Sequence, residues 1–469
     1  MFMIMLIFSV PASARAVTTL AQTGESASAK MGEHSPSAGL CPELTSRQTW
    51  NLSGLVQLAL CRNPLTAEGW ANVDRHRARV TEAGSEYLPK LQASYSQSRG
   101  HGKTSIDDDR YADYAVNTKP TSSALSLSWL LFDFGARDAH KDYEEILLDV
   151  ALDSYRESVS QVVINTADAY YSLLLAHNLA RVSHEALDSL ELSVAIGKER
   201  FALGAGSKAE LLEAIAARDS MQLHVLQDDA GAVMAMGRLA FALGFKPSVN
   251  VKVEQTELVA PSILKLNNLQ DYLLAAQNEH PLLRSARGRL AAAEANTRSA
   301  GAQGKPTLVF FANIQYNESI SSGNAYTYSY LSNSAGLTLN IPIFDGFSAR
   351  SQRARAAAEV DVAQAQLHGV ENQVELDVWT YFQEVLASLQ KVSLSRSSLL
   401  SSQQAVQVAY GRYKSGMGSL LDLLNSQNRL MNTKLQQAQA VAQLRLFSIR
   451  LALAAGQAVE PLLINQPAG

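Results

Sequence analysis

The sequence predicts a mixed α and β membrane protein built from an internal duplication: a homotrimeric 12-stranded outer-membrane β-barrel continued by a long periplasmic α-helical barrel. Three observations predict it. A helix–turn–helix phrase occurs twice, 212 positions apart. Each copy follows a pair of alternating segments of about ten residues, the length a tilted strand needs to cross an outer membrane. Each pair leads into some 110 residues without proline, room for helices far longer than those of ordinary globular domains.

Residues 1–10 are apolar and precede Ala14-Arg15-Ala16, a small-x-small cleavage site, so residues 1–16 read as a signal peptide. No Lys or Arg stands before the apolar run, which points to a different start codon. No later run approaches the roughly 18 apolar residues of a membrane helix. Residues 17–51 are rich in Ser, Ala, Thr and Gly and read as a flexible extension. Export allows the two cysteines, Cys41 and Cys61, to form a disulfide. The loop it closes, about twenty residues, would stabilise by roughly 3 kcal/mol. A lipid-anchored Cys41 is the competing reading, although Leu40 sits where a small residue belongs. A net charge of −4 and a pI of about 6.2 argue against nucleic acid as a partner. The nine histidines include no pair at zinc-site spacing, and no metal, cofactor or catalytic group is expected.

Repeat 1, residues 52–244, opens with a short helix broken before Pro64. That proline suits the first turn of a second helix running to about residue 86. After a linker at 245–267, repeat 2 (268–456) has the same pair at 269–280 and 281–301, and residues 457–469 form a tail. Next come the alternating segments. Leu91, Ala93 and Tyr95 share one face, as do Leu125, Leu127, Trp129 and Leu131. In repeat 2 Leu308, Phe310, Ala312, Ile314 and Tyr316 alternate with polar residues, and so do Leu337, Leu339 and Ile341. Period-two alternation is a β signature. The loops within the pairs carry Tyr111 and Tyr114, and Tyr326, Tyr328 and Tyr330, a residue suited to a membrane–water rim.

The pairs end at Phe132-Asp133-Phe134-Gly135 and Phe344-Asp345-Gly346-Phe347. Helical spacing follows: Val370, Val374, Val378, Tyr381, Val385, Leu389 and Val392 step by threes and fours, the seam of packed helices. At about 1.5 Å per residue, the first long helix of each repeat would reach roughly 100 Å. It stops at a glycine, Gly204 or Gly416, which tolerates positive φ. A serine N-cap then restarts the chain with an acid three residues on, Ser207 with Glu210 and Ser419 with Asp422, the capping-box spacing. Arg200 and Arg412 sit near helix C-termini, where the dipole favours positive charge.

Four strands per chain are too few to close a barrel, and an open edge cannot face lipid. Three chains would supply twelve strands and a matching helical tube, with apolar residues toward lipid and polar ones toward a wet lumen.

The twofold repeat, the two FD-G phrases, Tyr170-Tyr171 and Tyr381-Phe382, the R-[FY]-x-x-G-x-x-S turns and the R-L-x-x-x-x-G endings together resemble the outer-membrane efflux (TolC) family over residues 52–456. The resemblance implies a homotrimer in the outer membrane, spanning into the periplasm. It implies docking, through a periplasmic adaptor, onto an inner-membrane ABC or proton-driven transporter. Asp422 matches an aspartate of the pore constriction, Tyr413 a tyrosine of the latch that closes it, and Glu210 an acidic latch partner. Gly418 replaces the latch arginine and Asn425 a second aspartate, which implies a looser closed state. Gly204, Gly206, Leu211, Leu212, Gly416, Leu423 and Leu424 are the expected adaptor-docking turns. Cys41 and Cys61, with Trp50-Asn51-Leu52 and residues 59–64, look like type I protein secretion components, with drug or metal efflux as the alternative.

Other classes fit less well. Gly204-Ala205-Gly206-Ser207-Lys208 lacks P-loop order and follows a helix, and Pro306 spoils the glycine loop at 301–306. His177 and His184 are a lone pair. A periplasmic adaptor or coiled-coil scaffold would have a single hairpin, whereas this chain repeats hairpin and strand pair alike.

Overall fold

The computed structural model describes residues 49–104, 114–254, 266–321 and 327–457. Cys41, Tyr111 and Tyr326 lie outside them. The first half contains α1 (Leu52–Arg62), α2 (Pro64–Ser85), β1 (Lys90–Gln97), β2 (Gly100–Thr104), β3 (Tyr114–Phe132), α3 (Ala136–Ala202) and α4 (Lys208–Ala242). The second contains α5 (Leu269–Glu279), α6 (Pro281–Ala302), β4 (Thr307–Ser321), β5 (Thr327–Asn340), α7 (Ser348–Lys414) and α8 (Leu420–Ala454). Helix lengths agree between halves: 11, 22, 67 and 35 residues in each. Pro64 and Pro281 occupy the first turn of their helices, where a missing N–H costs nothing.

The strands form one antiparallel sheet in the order β1-β3-β4-β5, with β2 on the same edge of β3 as β1. The first strand is thus broken in two. The break lies across from Pro120, which has no N–H to give the ladder, although Ser98 N still reaches Pro120 O at 3.1 Å. Register aligns the alternation across strands: Trp129 faces Phe310, which faces Leu337, and Leu91 faces Leu127, which faces Ala312. One residue along, Gln92, Ser126, Asn313 and Ser334 form a polar row. A one-residue slip would exchange the faces, so the pattern fixes the register. Among the described residues of the protomer, the outer edges of β1 and β5 are unpaired.

The helices form a wall of four columns. α3 packs against α2 along one part and α4 along the other, and α7 does the same with α6 and α8; α3 also meets α6 and α8. In each half the 22- and 35-residue helices stack end to end and together run beside the 67-residue one. The joints are tight. Asn63 Nδ2 donates to Ala242 O at 2.8 Å, and a Cβ on Gly244 (φ +81°) would stand 2.6 Å from Arg62 O. Gly456 repeats this against Glu279 and His280. Short α1 and α5 lie against α3 and α7. The predicted seam is real: Val374, Val378 and Val385 are buried with Leu444 and Leu451, and Val370, Tyr381, Leu389 and Val392 pack around them.

The FD-G phrases are the strand-to-helix corners. Asp133 accepts from Gly135 N and Arg137 N, and Asp345 from Ala349 N at 2.7 Å, so each aspartate satisfies an unpaired N–H of a long helix. Two successive residues turn left-handed at each corner, Phe134-Gly135 and Gly346-Phe347. The first corner has an addition. Arg137 bonds Asp133 (3.0 Å) and the carbonyls of Leu130 and Glu86 (2.7 and 3.3 Å), holding the bulge between Leu130 and Phe132. Its guanidinium lies 4.9 Å over the Tyr87 ring.

Candidate pore mouth and docking end

The end of the wall farthest from the sheet is built by the two turns. Both helices stop in the same way: Gly204 N and Ala205 N return to Phe201 O and Arg200 O, and Gly416 N and Met417 N to Tyr413 O and Arg412 O. Gly204 and Gly416 have φ of +71° and +77°, which only a residue without Cβ adopts at no cost. Gly418 is closely confined, since a Cβ there would come within 3.2 Å of the Tyr413 backbone nitrogen and 3.0 Å of Arg412 Cβ. The backbone therefore leaves little room for any side chain at the position the resemblance assigns to an arginine.

The two caps differ. Ser207 and Glu210 form a complete capping box, Ser207 Oγ accepting from Glu210 N and Glu210 Oε2 accepting from Ser207 N. Ser419 accepts from Asp422 N at 3.1 Å, but the carboxylate of Asp422 does not return the bond. Asp422 is exposed, as is Asn425 one turn on. Glu210 is thus engaged in its own turn, while the Asp422 carboxylate remains available to solvent.

Beneath the turns lies a compact apolar core of Leu190, Val194, Ala214, Met221, Tyr413, Leu420, Leu423 and Leu424. Leu423 and Leu424 therefore fill the interior of the tip. The exposed apolar side chains at this end include Phe201, Leu203, Leu212, Met417 and Leu421, with Leu211 half-buried.

Tyr413 is 1% exposed, and its hydroxyl has no hydrogen-bond partner among the described residues. Burial pushes its phenol above the ordinary value, with Arg200 pulling the other way and Glu210 adding to the rise. Arg200 is the residue sequence reasoning undervalued. Its Nη1 donates to Tyr413 O at 3.1 Å, its Nη2 to Ala205 O at 3.3 Å, and its Cζ lies 5.0 Å from the Tyr413 ring centroid. The contact spans 213 positions, so no local spacing announces it. Farther from the tip, Gln427 donates to Ser189 (2.7 Å) and Lys434 to Glu185 (2.6 Å), tying α8 to α3.

The outer membrane efflux protein family matches residues 55–245 and again 273–457. The chain belongs to that family. Among its relatives, protein CyaE of Bordetella pertussis is 29% identical over 406 residues, 86% of this chain and 83% of that one. Outer membrane protein TolC of Escherichia coli K12 is 24% identical over 410 residues, 84% and 79% of the two chains. The crystal structure of VceC from Vibrio cholerae matches with a TM-score of 0.71 at 20% identity, covering 87% of this chain and 96% of that one. The efflux-family fold accounts for the sheet and long helical wall. Among the described residues no helix is long and apolar enough to cross a membrane. Cys61 is disulfide-bonded; Cys41, its predicted partner, lies outside the described residues.

Proposed function

We propose that three copies of this duplicated chain close into the outer-membrane exit duct of an export system. One observation carries the reading: a two-faced sheet with both edges open, set on helices of 67 residues. Open edges cannot face lipid, and at about 1.5 Å per residue the helices extend roughly 100 Å from it. Three sheets joined edge to edge give twelve strands, and three walls give a tube reaching through the periplasm. The equal helix lengths and the two separate family matches support the duplication.

The tip is the end that meets a periplasmic adaptor and, through it, an inner-membrane transporter. Gly204, Gly206, Leu211, Leu212 and Gly416 belong to the docking surface, with Leu203, Met417 and Leu421 as its exposed apolar contacts. Three Asp422 carboxylates ring the mouth and favour cations. The cargo is protein, delivered by type I secretion; the support is the segment around Trp50 and the disulfide-bonded Cys61. Drug or metal efflux is the second reading. The chain is 24% identical both to alkaline protease secretion protein AprF of Pseudomonas aeruginosa and to cation efflux system protein CusC of Escherichia coli O157:H7. Deleting the gene and comparing secreted proteins with drug and metal susceptibility separates the two. A monomer in detergent, with no tubular particles under the electron microscope, overturns both.

A further inference from the structure

We propose that Arg200, and not the Tyr413 hydroxyl, is the positioning residue that ties the two hairpins of one protomer together at the mouth. The inference rests on the duct reading and adds how its aperture is held.

Three observations carry it. The Tyr413 hydroxyl, the group a tyrosine would use to latch, is buried without a partner among the described residues, while Glu210, the acid nearest to it in the resemblance, is closed into a capping box with Ser207. What joins the hairpins is Tyr413's other chemistry. Its carbonyl carries two lone pairs; one accepts from Gly416 N to end α7, and the other accepts from Arg200 Nη1 across the hairpin boundary. The guanidinium face also covers the ring, the geometry in which a cation is attracted to the aromatic quadrupole. Because Arg200 holds Ala205 O as well, it fastens the turn of hairpin 1 and the helix end of hairpin 2 with one rigid fork.

The tie is one-sided. Arg412, the repeat counterpart of Arg200, is exposed, and its guanidinium makes no hydrogen bond or ion pair among the described residues. Among the described residues, the mouth of each protomer thus has one such arginine bolt, on the first hairpin, beyond the side-chain bonds that tie α8 to α3 farther from the tip. A fork that grips a ring face and a carbonyl needs no phenolic proton, so the hydroxyl should be dispensable and the arginine should not.

The test uses the full-length assembly in planar bilayers, reading single-channel conductance and open dwell time. Tyr413→Phe should match the parent, and Arg412→Ala should too. Arg200→Ala should open the channel several-fold, and Arg200→Lys, which keeps the charge but loses fork and planar face, should resemble Arg200→Ala. A second readout follows the tie without relying on conduction. Ser189→Cys with Gln427→Cys places a thiol on each hairpin. A short cleavable cross-linker should join the two thiols faster in the otherwise unaltered protein than when Arg200→Ala is added, and should reclose the Arg200→Ala channel until cleaved. Tyr413→Phe or Arg412→Ala opening the channel as far as Arg200→Ala overturns the proposal. So does Arg200→Lys behaving like the parent, or a cross-linking rate indifferent to Arg200. If the parent forms no channel at all, the duct reading falls, while the cross-linking rate still decides the tie.

Discussion

Replacing Arg137 by alanine removes a side chain that joins β3, α3 and the end of α2 at the first strand-to-helix corner. Its side chain and that of Asp133 are 11% and 9% exposed. The guanidinium meets Asp133 at 3.0 Å and the carbonyls of Leu130 and Glu86 at 2.7 and 3.3 Å. Breaking a buried pair by deleting one partner costs about 3–5 kcal/mol, because the other charge is left unpaired. Here Asp133 keeps two backbone N–H partners, so the lower end applies, about 3 kcal/mol, or roughly a hundredfold in the folding equilibrium. The assay is urea unfolding of the detergent-solubilised protein followed by tryptophan emission. Trp129 donates to Tyr87 O beside the corner and reports on it directly. Arg137→Lys should recover only part of the loss, since an ammonium cannot bond three groups in fixed directions. The second corner supplies a comparison: position 349 is already alanine, and Asp345 is held by a backbone N–H. A midpoint shift for Arg137→Ala equivalent to less than about 1 kcal/mol would refute the reasoning, because it would make the arginine as dispensable as at the second corner.

Asp422→Ala should raise single-channel conductance or abolish block by divalent cations, and unchanged conductance with unchanged cation selectivity would remove Asp422 from the mouth. Gly456→Ala forces a Cβ to within 2.9 Å of His280 N at a φ of +77°, so about 2–4 kcal/mol should be lost in the same urea assay. Gly231→Ala, in α4 with open space around it, should instead gain up to about 1 kcal/mol. Burial raises the Glu185 carboxyl, but bonds to Lys434 and Arg181 outweigh it and hold the group below 4.5. Its contribution is therefore complete at neutral pH and fades as acid drops through the depressed value. Glu185→Gln should show a shallower loss of melting temperature in acid than the parent, and parallel pH profiles would contradict this.

The legible parts were those written within a few residues. Alternation gave the strands, threes and fours gave the α7 seam, and glycine followed by serine and acid gave both turns. The FD-G phrases were visible as landmarks, but their physical content, an aspartate receiving the first N–H groups of a helix, needed the backbone. What could not be read depends on partners far along the chain. Leu423 and Leu424 look like surface leucines beside a turn, yet α3 and α4 bury them. Glu210 and Asp422 have the same spacing to their serines, but only Glu210 closes its box. The break between β1 and β2 follows from Pro120, a residue of the neighbouring strand.

The jointed columns carry a consequence for how the protein varies. Because α4 meets the α1–α2 junction, and α8 the α5–α6 junction, each pair of stacked helices must keep pace with an unbroken neighbour. A turn added to α3 alone would push Gly244 off its seat against Arg62; only insertions mirrored in α4, α7 and α8 would keep every joint closed. The distance these rods span is therefore set jointly by four segments, and reach changes by whole matched increments or not at all.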